Sequence, residues 1–317
     1  MLIPAPMKKT ALMFAGQGSQ VVGMGLDLFE AFPAAQNWFE RGNTALGYDL
    51  ASICFRGPDA ELVRTENAQP GIFLVSWVAL ALLREQVPGL KFEAAAGLSL
   101  GEFTALAAAG VFSFEDGLRV VQQRGRFMQE ACEASRGGMA AIIGLEESLT
   151  RQICAEAGVQ LANLNCPGQL VISGEIEKIA RACELAKTRG AKRALPLSVA
   201  GAYHSPLMAG AQSKLRAALA AVPINLSSVP VISNVTALPH MAPPDIHGRL
   251  VEQVTSSVRW EESMRHLLAD GFTRFIELGP GTALSGFMKR IDKTVQVLNV
   301  ADRASLKATA EALASPL

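Results

Sequence analysis

The chain has 317 residues, of which 50% are hydrophobic and 18% are charged. This much apolar material can form a complete core and excludes a disordered chain. The 29 basic and 29 acidic residues give a formal net charge of zero, which argues against a nucleic-acid-binding protein because such proteins usually carry a basic excess. At roughly 100–200 residues per domain, the length predicts two domains or one large one.

Short β-like runs alternate with longer helical patterns over most of the chain. In chain order we predict a strand at 10–14, a helix at 72–85, a strand at 94–98, helices at 102–109 and 118–130, a strand at 230–233, a helix at 260–269, a strand at 272–278, a helix at 284–290 and a strand at 295–300. The proline-rich residues 239–244 are predicted to form a surface loop. The alternation is typical of an α/β fold with a mainly parallel sheet covered by helices.

Residues 134–202 follow a different pattern. We predict a strand at 138–144, a helix at 147–156, strands at 159–163 and 170–173 joined by a turn at 165–168, a helix at 176–189 and a strand at 191–197. The order βαββαβ is typical of a ferredoxin-like α+β domain. We therefore predict a discontinuous large α/β domain, residues 1–133 and 203–317, with a small domain inserted at 134–202.

Three features bear on the cellular compartment. The apolar run of a secretory signal is missing after the N-terminal residues 1–9. The longest apolar stretch, residues 72–83, is too short to span a bilayer and indicates a buried core helix. Five scattered cysteines without a C-x-x-C motif favour free buried thiols over disulfides or a zinc site. We expect a cytoplasmic protein with no membrane segment and no metal site. The cysteines are Cys54, Cys132, Cys154, Cys166 and Cys183.

The strongest local signal is the segment Gly97-Leu98-Ser99-Leu100-Gly101-Glu102, which has the pattern G-x-S-x-G between a predicted strand and a predicted helix. So tight a turn needs glycine on both sides of the serine, and the N-terminus of the helix favours a developing negative charge. The segment predicts that Ser99 is a nucleophile. The alternative is a Gly-Ser loop that only starts a helix.

A nucleophilic serine needs a base, which is most often histidine. The chain has four histidines. His266 lies in an amphipathic helical pattern, and His240 and His247 lie in the proline-rich loop region. His204 follows the last strand of the small domain, at a junction where clefts tend to form. His204 is therefore the candidate base, with a satisfied structural histidine as the alternative.

A glycine-flanked turn, Gly16-Gln17-Gly18-Ser19-Gln20, follows the first predicted strand. It is similar to the start of a dinucleotide-binding fingerprint, but Val21 occupies the third glycine position and no acidic residue completes the pattern. We therefore reject a dinucleotide cofactor bound in the manner of a Rossmann fold. The turn could instead present backbone N–H groups to an oxyanion.

Ordered motifs over about 280 residues resemble the malonyl-CoA:acyl carrier protein transacylase family, together with the related acyltransferase domains of polyketide synthases. The matching segments are Gly16-Gln17-Gly18-Ser19-Gln20, Gln69-Pro70, Gly97-Leu98-Ser99-Leu100-Gly101-Glu102, Gln123-Arg124-Gly125, Asn163-Leu164-Asn165-Cys166-Pro167-Gly168-Gln169, Gly201-Ala202-Tyr203-His204, Ser233-Asn234-Val235, Gln253 and Glu277-Leu278-Gly279-Pro280-Gly281. The resemblance implies an α/β-hydrolase-like large domain with a ferredoxin-like insert.

The resemblance also implies a role for each catalytic residue. Ser99 would carry the acyl group as an ester, and His204 would accept and return the proton. The N–H groups of Gln17 and Leu100 would form the oxyanion hole. The family has no triad acid, so the main-chain carbonyl of Gln253 would orient the imidazole.

Arg124 would grip the malonyl carboxylate through two parallel hydrogen bonds, and Gln69 and Asn165 would also bind substrate. Without the resemblance, an arginine on a helix surface would be the favoured interpretation of Arg124. Tyr203 stands where malonyl-selective members often have phenylalanine, a mild departure. Leu98 replaces the histidine that most members carry before the serine, and we expect activity to survive that replacement.

The implied reaction is ping-pong transfer of malonyl from malonyl-CoA to the phosphopantetheine thiol of acyl carrier protein, by default for fatty acid biosynthesis, with no cofactor besides the CoA substrate. The alternatives are a trans-acting polyketide acyltransferase, an acyltransferase for another acyl group, an acyl-ester hydrolase or a catalytically silent binding or scaffold protein. We expect a monomer that binds neither nucleic acid nor membrane. An acidic carrier would dock on a basic cluster, although such clusters can also be solvated faces or CoA-phosphate contacts. The candidate clusters are Lys187, Arg189, Lys192 and Arg193, and Lys289, Arg290 and Lys293.

Overall fold

The computed structural model describes residues 8–314. The prediction that the chain has no secretory signal rests mostly on residues 1–9, and most of these lie outside the described residues. The strands are β1 Lys9–Phe14, β2 Ala94–Gly97, β3 Gly137–Ile143, β4 Gln160–Cys166, β5 Gln169–Glu175, β6 Arg193–Pro196, β7 Phe272–Leu278 and β8 Gln296–Val300. The helices are α1 Leu26–Ala31, α2 Pro33–Leu46, α3 Leu50–Arg56, α4 Asp59–Leu62, α5 Thr65–Gln86, α6 Leu100–Ala108, α7 Phe114–Glu133, α8 Glu147–Ala157, α9 Ile176–Thr188, α10 Ala209–Ala220, α11 Pro243–Gln253, α12 Trp260–Ala269, α13 Ala283–Ile291 and α14 Arg303–Ala314.

A parallel sheet with strand order β2-β1-β7-β8 forms the centre of the larger part of the fold. Both of its faces are buried, because Leu12 and Phe14 of β1 belong to one hydrophobic cluster while Ala11 and Met13 belong to another. In the register of β1 and β2, Phe14 lies opposite Gly97. The segments that leave the carboxyl ends of these two strands therefore start side by side.

A second, antiparallel sheet has the strand order β4-β5-β3-β6. Helices α8 and α9 pack on it, and together they enclose a separate hydrophobic cluster whose buried members all lie between Ala140 and Ala194. The predicted mixed α/β fold, with a parallel sheet and a distinct α+β segment in the middle of the chain, is confirmed at this level.

Helix α5 is the one described helix that is long and apolar enough to cross a membrane by length and composition. It has 22 residues, and 78% of its most apolar window is buried inside the protein. Its buried residues include Ile72, Phe73 and Leu83. The prediction of a buried core helix is confirmed. The five cysteines are also free and buried, as predicted.

Two short predictions in the sheets are wrong. Residues 230–233 do not form a strand: Val231 makes only an isolated bridge to Ala95 of β2, and Ile232 makes one to Pro239. The bridge between Val231 and Ala95 could not be predicted from local β-propensity, because it depends on a partner that is distant in the chain. The turn predicted at 165–168 is shorter than expected, since β4 continues through Cys166 and only two residues separate it from β5.

The proline-rich segment is also more ordered than predicted. Helix α11 starts at Pro243 and runs to Gln253. Proline is well suited to a first helical turn because its φ is fixed and its missing N–H needs no partner there. His247, which we predicted to lie in a loop region, therefore lies within α11.

Candidate active site

Ser99 sits in a strained turn between β2 and α6, with φ 55° and ψ −104°. The two flanking glycines are required by space. A Cβ on Gly97 would lie 1.9 Å from the carbonyl carbon of Gly101, and a Cβ on Gly101 would lie 2.2 Å from the oxygen of Phe14. A non-glycine residue held in this conformation is typical of a nucleophile elbow.

His204 and Ser99 are in direct contact, since Nε2 of His204 lies 2.9 Å from the Ser99 hydroxyl. The other ring nitrogen, Nδ1, lies 2.9 Å from the carbonyl oxygen of Gln253 and 3.1 Å from that of Ser256. Carbonyls only accept, so Nδ1 carries the proton and Nε2 accepts from the hydroxyl. Burial, reinforced by the charge of Arg124, lowers the pKa of His204 to about 4. The imidazole is therefore a neutral base at neutral pH.

Arg124 comes from α7 and is 1% exposed. Its guanidinium donates to the Ser99 hydroxyl at 3.0 Å, to Oε1 of Gln69 at 2.7 Å and to Oε1 of Gln253 at 2.9 Å. Burial lowers the pKa of Arg124 to about 10, so the group stays charged at neutral pH. The alternative of an arginine on a helix surface is excluded.

A chain of side-chain hydrogen bonds connects the guanidinium of Arg124 to the turn after β1. Gln69 donates through Nε2 to Oε1 of Gln17 at 3.1 Å, and Gln17 donates through Nε2 to the hydroxyl of Tyr203 at 3.2 Å. The Tyr203 hydroxyl lies 2.6 Å from Oγ1 of Thr65 at the start of α5. Gln69 thus contacts Arg124 and Gln17, and it holds both in place.

Two backbone N–H groups lie next to the elbow. The turn after β1 approaches the elbow so closely that a Cβ on Gly16 would lie 2.6 Å from the backbone oxygen of Leu98. Within residues 8–314, neither the N–H of Gln17 nor that of Leu100 has a hydrogen-bond acceptor. Leu100 is also the first residue of α6, where the helix end favours negative charge. This arrangement suits an oxyanion hole.

Sequence reasoning missed a polar network beneath the elbow. Glu102 accepts through Oε2 from Nε2 of Gln253 at 2.7 Å and from the N–H of Asn234 at 3.0 Å, while its Oε1 lies 2.7 Å from Nε2 of His240. Asn234 accepts from the Ser99 N–H at 2.6 Å. Glu102 and Asn234 did stand in the motifs that carry the resemblance, but nothing in their spacing signals that they meet.

A cavity of about 590 Å³ opens over Ser99 and His204. Its wall includes Leu98 beside the nucleophile. Glu277 of β7 and Asn165 of β4 also line it, so both sheets contribute. Asn165 is 6% exposed, and its side-chain oxygen has no hydrogen-bond partner in the described part of the chain. Residues 8–314 contain no cluster of three or more metal-ligating side chains.

The chain matches a known protein family over most of its length. The family described as "Acyl transferase domain" matches residues 12–307. A malonyl CoA-acyl carrier protein transacylase from Bacillus subtilis is 45% identical over 312 residues, which cover 97% of this chain and 98% of the relative.

Solved structures of similar proteins share the fold. An acyl-carrier-protein-S-malonyltransferase from Bartonella henselae superimposes with a TM-score of 0.92 at 40% identity, covering 97% of this chain and 100% of its own. A malonyl-transacylase in complex with a type II polyketide synthase acyl-carrier protein gives a TM-score of 0.93 at 38% identity, covering 96% of this chain and 99% of that structure.

Proposed function

The chain belongs to the acyl transferase family, and on this premise we propose that it is a malonyl-CoA:acyl carrier protein transacylase. One observation carries the choice of acyl group. A charged, buried guanidinium, that of Arg124, lies 3.0 Å from the hydroxyl of Ser99. An acyl group on that oxygen would lie beside a cation, which suits an acyl group that ends in a carboxylate.

In the first half-reaction, neutral His204 accepts the hydroxyl proton of Ser99 while the serine oxygen attacks the thioester carbonyl of malonyl-CoA. The N–H groups of Gln17 and Leu100 stabilise the oxyanion that forms. The tetrahedral intermediate collapses, the C–S bond breaks, and His204 gives its proton to the departing CoA thiolate. Malonyl remains as an ester on Ser99.

The second half-reaction runs the same steps with a different thiol. His204 accepts the proton of the carrier's phosphopantetheine thiol, and the sulfur attacks the ester carbonyl. The C–O bond to Ser99 breaks, and the serine oxygen takes the proton back from His204. All the groups required are side chains and backbone of this chain, so we propose that the reaction uses no cofactor and that CoA takes part only as the carrier and leaving group of the substrate.

The carbonyls of Gln253 and Ser256 take the place of a triad acid. They fix the tautomer of His204 without adding a negative charge next to an anionic acyl group. Arg124 would bind the malonyl carboxylate, whereas an acetyl group would leave the guanidinium without that partner, at a cost of about 1.5–3 kcal/mol for a lost charge-assisted hydrogen bond. Asn165, which lines the cavity, would contact the substrate.

The domain organisation is part of the proposal. The element order β3-α8-β4-β5-α9-β6, the strand order β4-β5-β3-β6 and a separate hydrophobic cluster support a ferredoxin-like domain at residues 134–202. It would be inserted into an α/β-hydrolase-like domain made of residues 1–133 and 203–317. The active-site cavity would then open between the two domains.

An acidic carrier protein would dock on Lys192 and Arg193. Both are exposed, and neither has an ion-pair partner within the described chain. Lys187 and Arg189 of the same cluster are already paired, with Glu184 and Glu156 respectively. We infer that Lys192 and Arg193 are the members of the cluster that are free to bind the carrier. The enzyme would act as a monomer in the cytoplasm.

Intact-mass measurement after mixing the protein with malonyl-CoA tests the proposed function. A malonyl adduct should form on the natural protein, be absent in Ser99→Ala, and be discharged by a carrier protein that bears phosphopantetheine. Absence of the adduct contradicts the proposal. An adduct that is lost to water as fast as to the carrier would indicate an acyl-ester hydrolase instead.

Fatty acid biosynthesis is the default pathway for this activity. One of the similar structures, however, holds a type II polyketide synthase acyl-carrier protein, and this supports supply of malonyl to a polyketide carrier as a second candidate. Comparing discharge rates with a fatty-acid carrier and a polyketide carrier distinguishes the two.

A further inference from the structure

The guanidinium of Arg124 is buried without a carboxylate in contact. Its three acceptors, on Ser99, Gln69 and Gln253, are all neutral oxygens. Among residues 8–314 no ion pair involves Arg124. A buried charge with no compensating charge strongly destabilises a folded protein. A negatively charged group that is not in direct contact must therefore balance the positive charge of Arg124 before any substrate binds.

Glu102 is the carboxylate placed to do so. Its side chain is fully buried, and it accepts at 2.7 Å from the amide nitrogen of Gln253. The amide oxygen of the same Gln253 accepts from Arg124 at 2.9 Å. One amide group therefore bridges the cation and the anion. The negative charge of Glu102 also raises the pKa of Arg124, against the larger lowering that burial causes.

The imidazole of His240 is the other titratable group that faces Glu102. Its Nε2 lies 2.7 Å from Glu102, while its Nδ1 has no hydrogen-bond partner in the described structure and lies 3.8 Å from Asp245. An N–H donated from this ring would satisfy one carboxylate oxygen of Glu102, whose other oxygen accepts from Gln253.

We propose that Glu102 is the counter-charge of Arg124 and that Gln253 keeps the two one amide group apart. This inference rests on the proposed function. In the free enzyme the negative charge of Glu102 balances the guanidinium of Arg124. Because Gln253 lies between them, no side-chain carboxylate occupies the N–H donors of Arg124 that an anionic acyl group would need. Glu102 also repels that acyl group. It would therefore set how strongly the enzyme prefers malonyl to a neutral acyl group of similar size.

Glu102→Gln tests the proposal because it removes the charge and can keep the hydrogen bonds. The new amide oxygen can accept from Asn234 and Gln253, and the amide nitrogen can donate to His240 in its other tautomer. The ratio of kcat/KM for malonyl-CoA to that for acetyl-CoA should rise on the order of fivefold, about 1 kcal/mol, because the malonyl anion is no longer repelled.

His240→Gln is the matched control, since it perturbs the same network and leaves the carboxylate in place. Its malonyl-to-acetyl ratio should stay within about twofold of the natural protein, less than 0.5 kcal/mol. An unchanged or lower ratio in Glu102→Gln overturns the proposal. An equal rise in both variants also overturns it, because the network and not the charge would then be responsible.

A thermal-stability cycle covers the case in which Glu102→Gln folds poorly. Glu102→Gln should lower the Tm of the natural protein. The same substitution should lower Tm less, or not at all, in a protein in which Arg124→Met has already removed the cation. A double variant that folds where Glu102→Gln does not supports the proposal. An equal decrease in Tm in the natural protein and in Arg124→Met overturns the proposal. This cycle needs no substrate, so it tests the counter-charge proposal independently of the proposed function. Failure of the proposed function would be seen separately, as a natural protein that malonyl-CoA does not acylate.

Discussion

The hydroxyl of Tyr203 holds the side chain of Gln17, accepting from its Nε2 at 3.2 Å. The same hydroxyl lies 2.6 Å from Oγ1 of Thr65, at the start of α5. Tyr203 directly precedes His204 in the chain. One residue thus connects the base, the long helix α5 and the turn that offers an N–H group to the oxyanion.

Tyr203→Phe should therefore slow acylation and leave substrate binding nearly intact. The ring remains, but Gln17 loses an acceptor and its turn is held less firmly. We expect kcat for malonyl-enzyme formation to fall about three- to tenfold with little change in KM, since a net hydrogen bond is worth about 1 kcal/mol. Rapid-quench mass spectrometry measures both quantities.

Tyr48→Phe is the control for this prediction. Tyr48 is the other tyrosine of the chain, and its hydroxyl lies 3.5 Å from Oδ1 of Asn67. The substitution Tyr48→Phe should leave kcat for malonyl-enzyme formation unchanged. If both variants lose the same activity, the effect of Tyr203→Phe is general destabilisation and not loss of a contact to Gln17.

Arg124→Met should change which acyl group is accepted. Removing the guanidinium should lower kcat/KM for malonyl-CoA about 10- to 100-fold, because charge-assisted hydrogen bonds are worth about 1.5–3 kcal/mol, while acetyl-CoA should lose much less. Arg126→Met is the control, since Arg126 is two residues away, half-exposed and paired with Glu130. A parallel loss with both substrates would mean that Arg124 supports the fold and does not select malonyl.

The pH dependence of acylation should reflect the lowered pKa of His204, which is about 4 instead of 6.5. The active form is the neutral imidazole, and a lower pKa keeps the ring neutral to lower pH. We therefore expect kcat/KM to stay near its maximum at about pH 5.5 and to fall only as the pH approaches 4. In Arg124→Met the neighbouring charge is gone, so the acid limb should move to higher pH. An acid limb near pH 6.5 in the natural protein contradicts the prediction.

Local signals in the sequence were sufficient for the elbow and for most elements. The glycines that the strained turn requires indicate Ser99 as the nucleophile, and hydrophobic periodicity predicts the strands and helices. The contacts of Glu102, Asn234 and the Gln253 side chain could not be predicted in this way. They join residues that are 129 to 154 positions apart in the chain, and no short-range pattern encodes such a contact.

Leu98 should not prevent catalysis, although it stands where most members of the family carry histidine. The proton path from Ser99 to His204 is complete without it, and the Leu98 side chain only lines the cavity and packs partly in the core. Acylation by malonyl-CoA should differ by less than about threefold between the natural protein and Leu98→His, as expected for a residue outside the proton transfer. Failure of the natural protein to be acylated, with activity in Leu98→His, would contradict this.

Charge reversal at Lys192 and Arg193 should separate the two half-reactions. These side chains are exposed and unpaired in the described chain, so an acidic carrier can approach them without breaking an existing ion pair. The double change to glutamate should lower kcat/KM for the carrier about tenfold at low ionic strength and less at high salt, because screening weakens exposed charge pairs.

The control for the docking prediction is the same reversal at Lys187 and Arg189, which already pair with Glu184 and Glu156. Its effect on transfer to the carrier should be smaller, because these charges are already partly neutralised. Acylation by malonyl-CoA should be unchanged in both double variants. If reversal at Lys192 and Arg193 slows acylation instead, the cluster contacts the CoA phosphates, and the carrier must dock on another surface, of which Lys289, Arg290 and Lys293 are the next candidates.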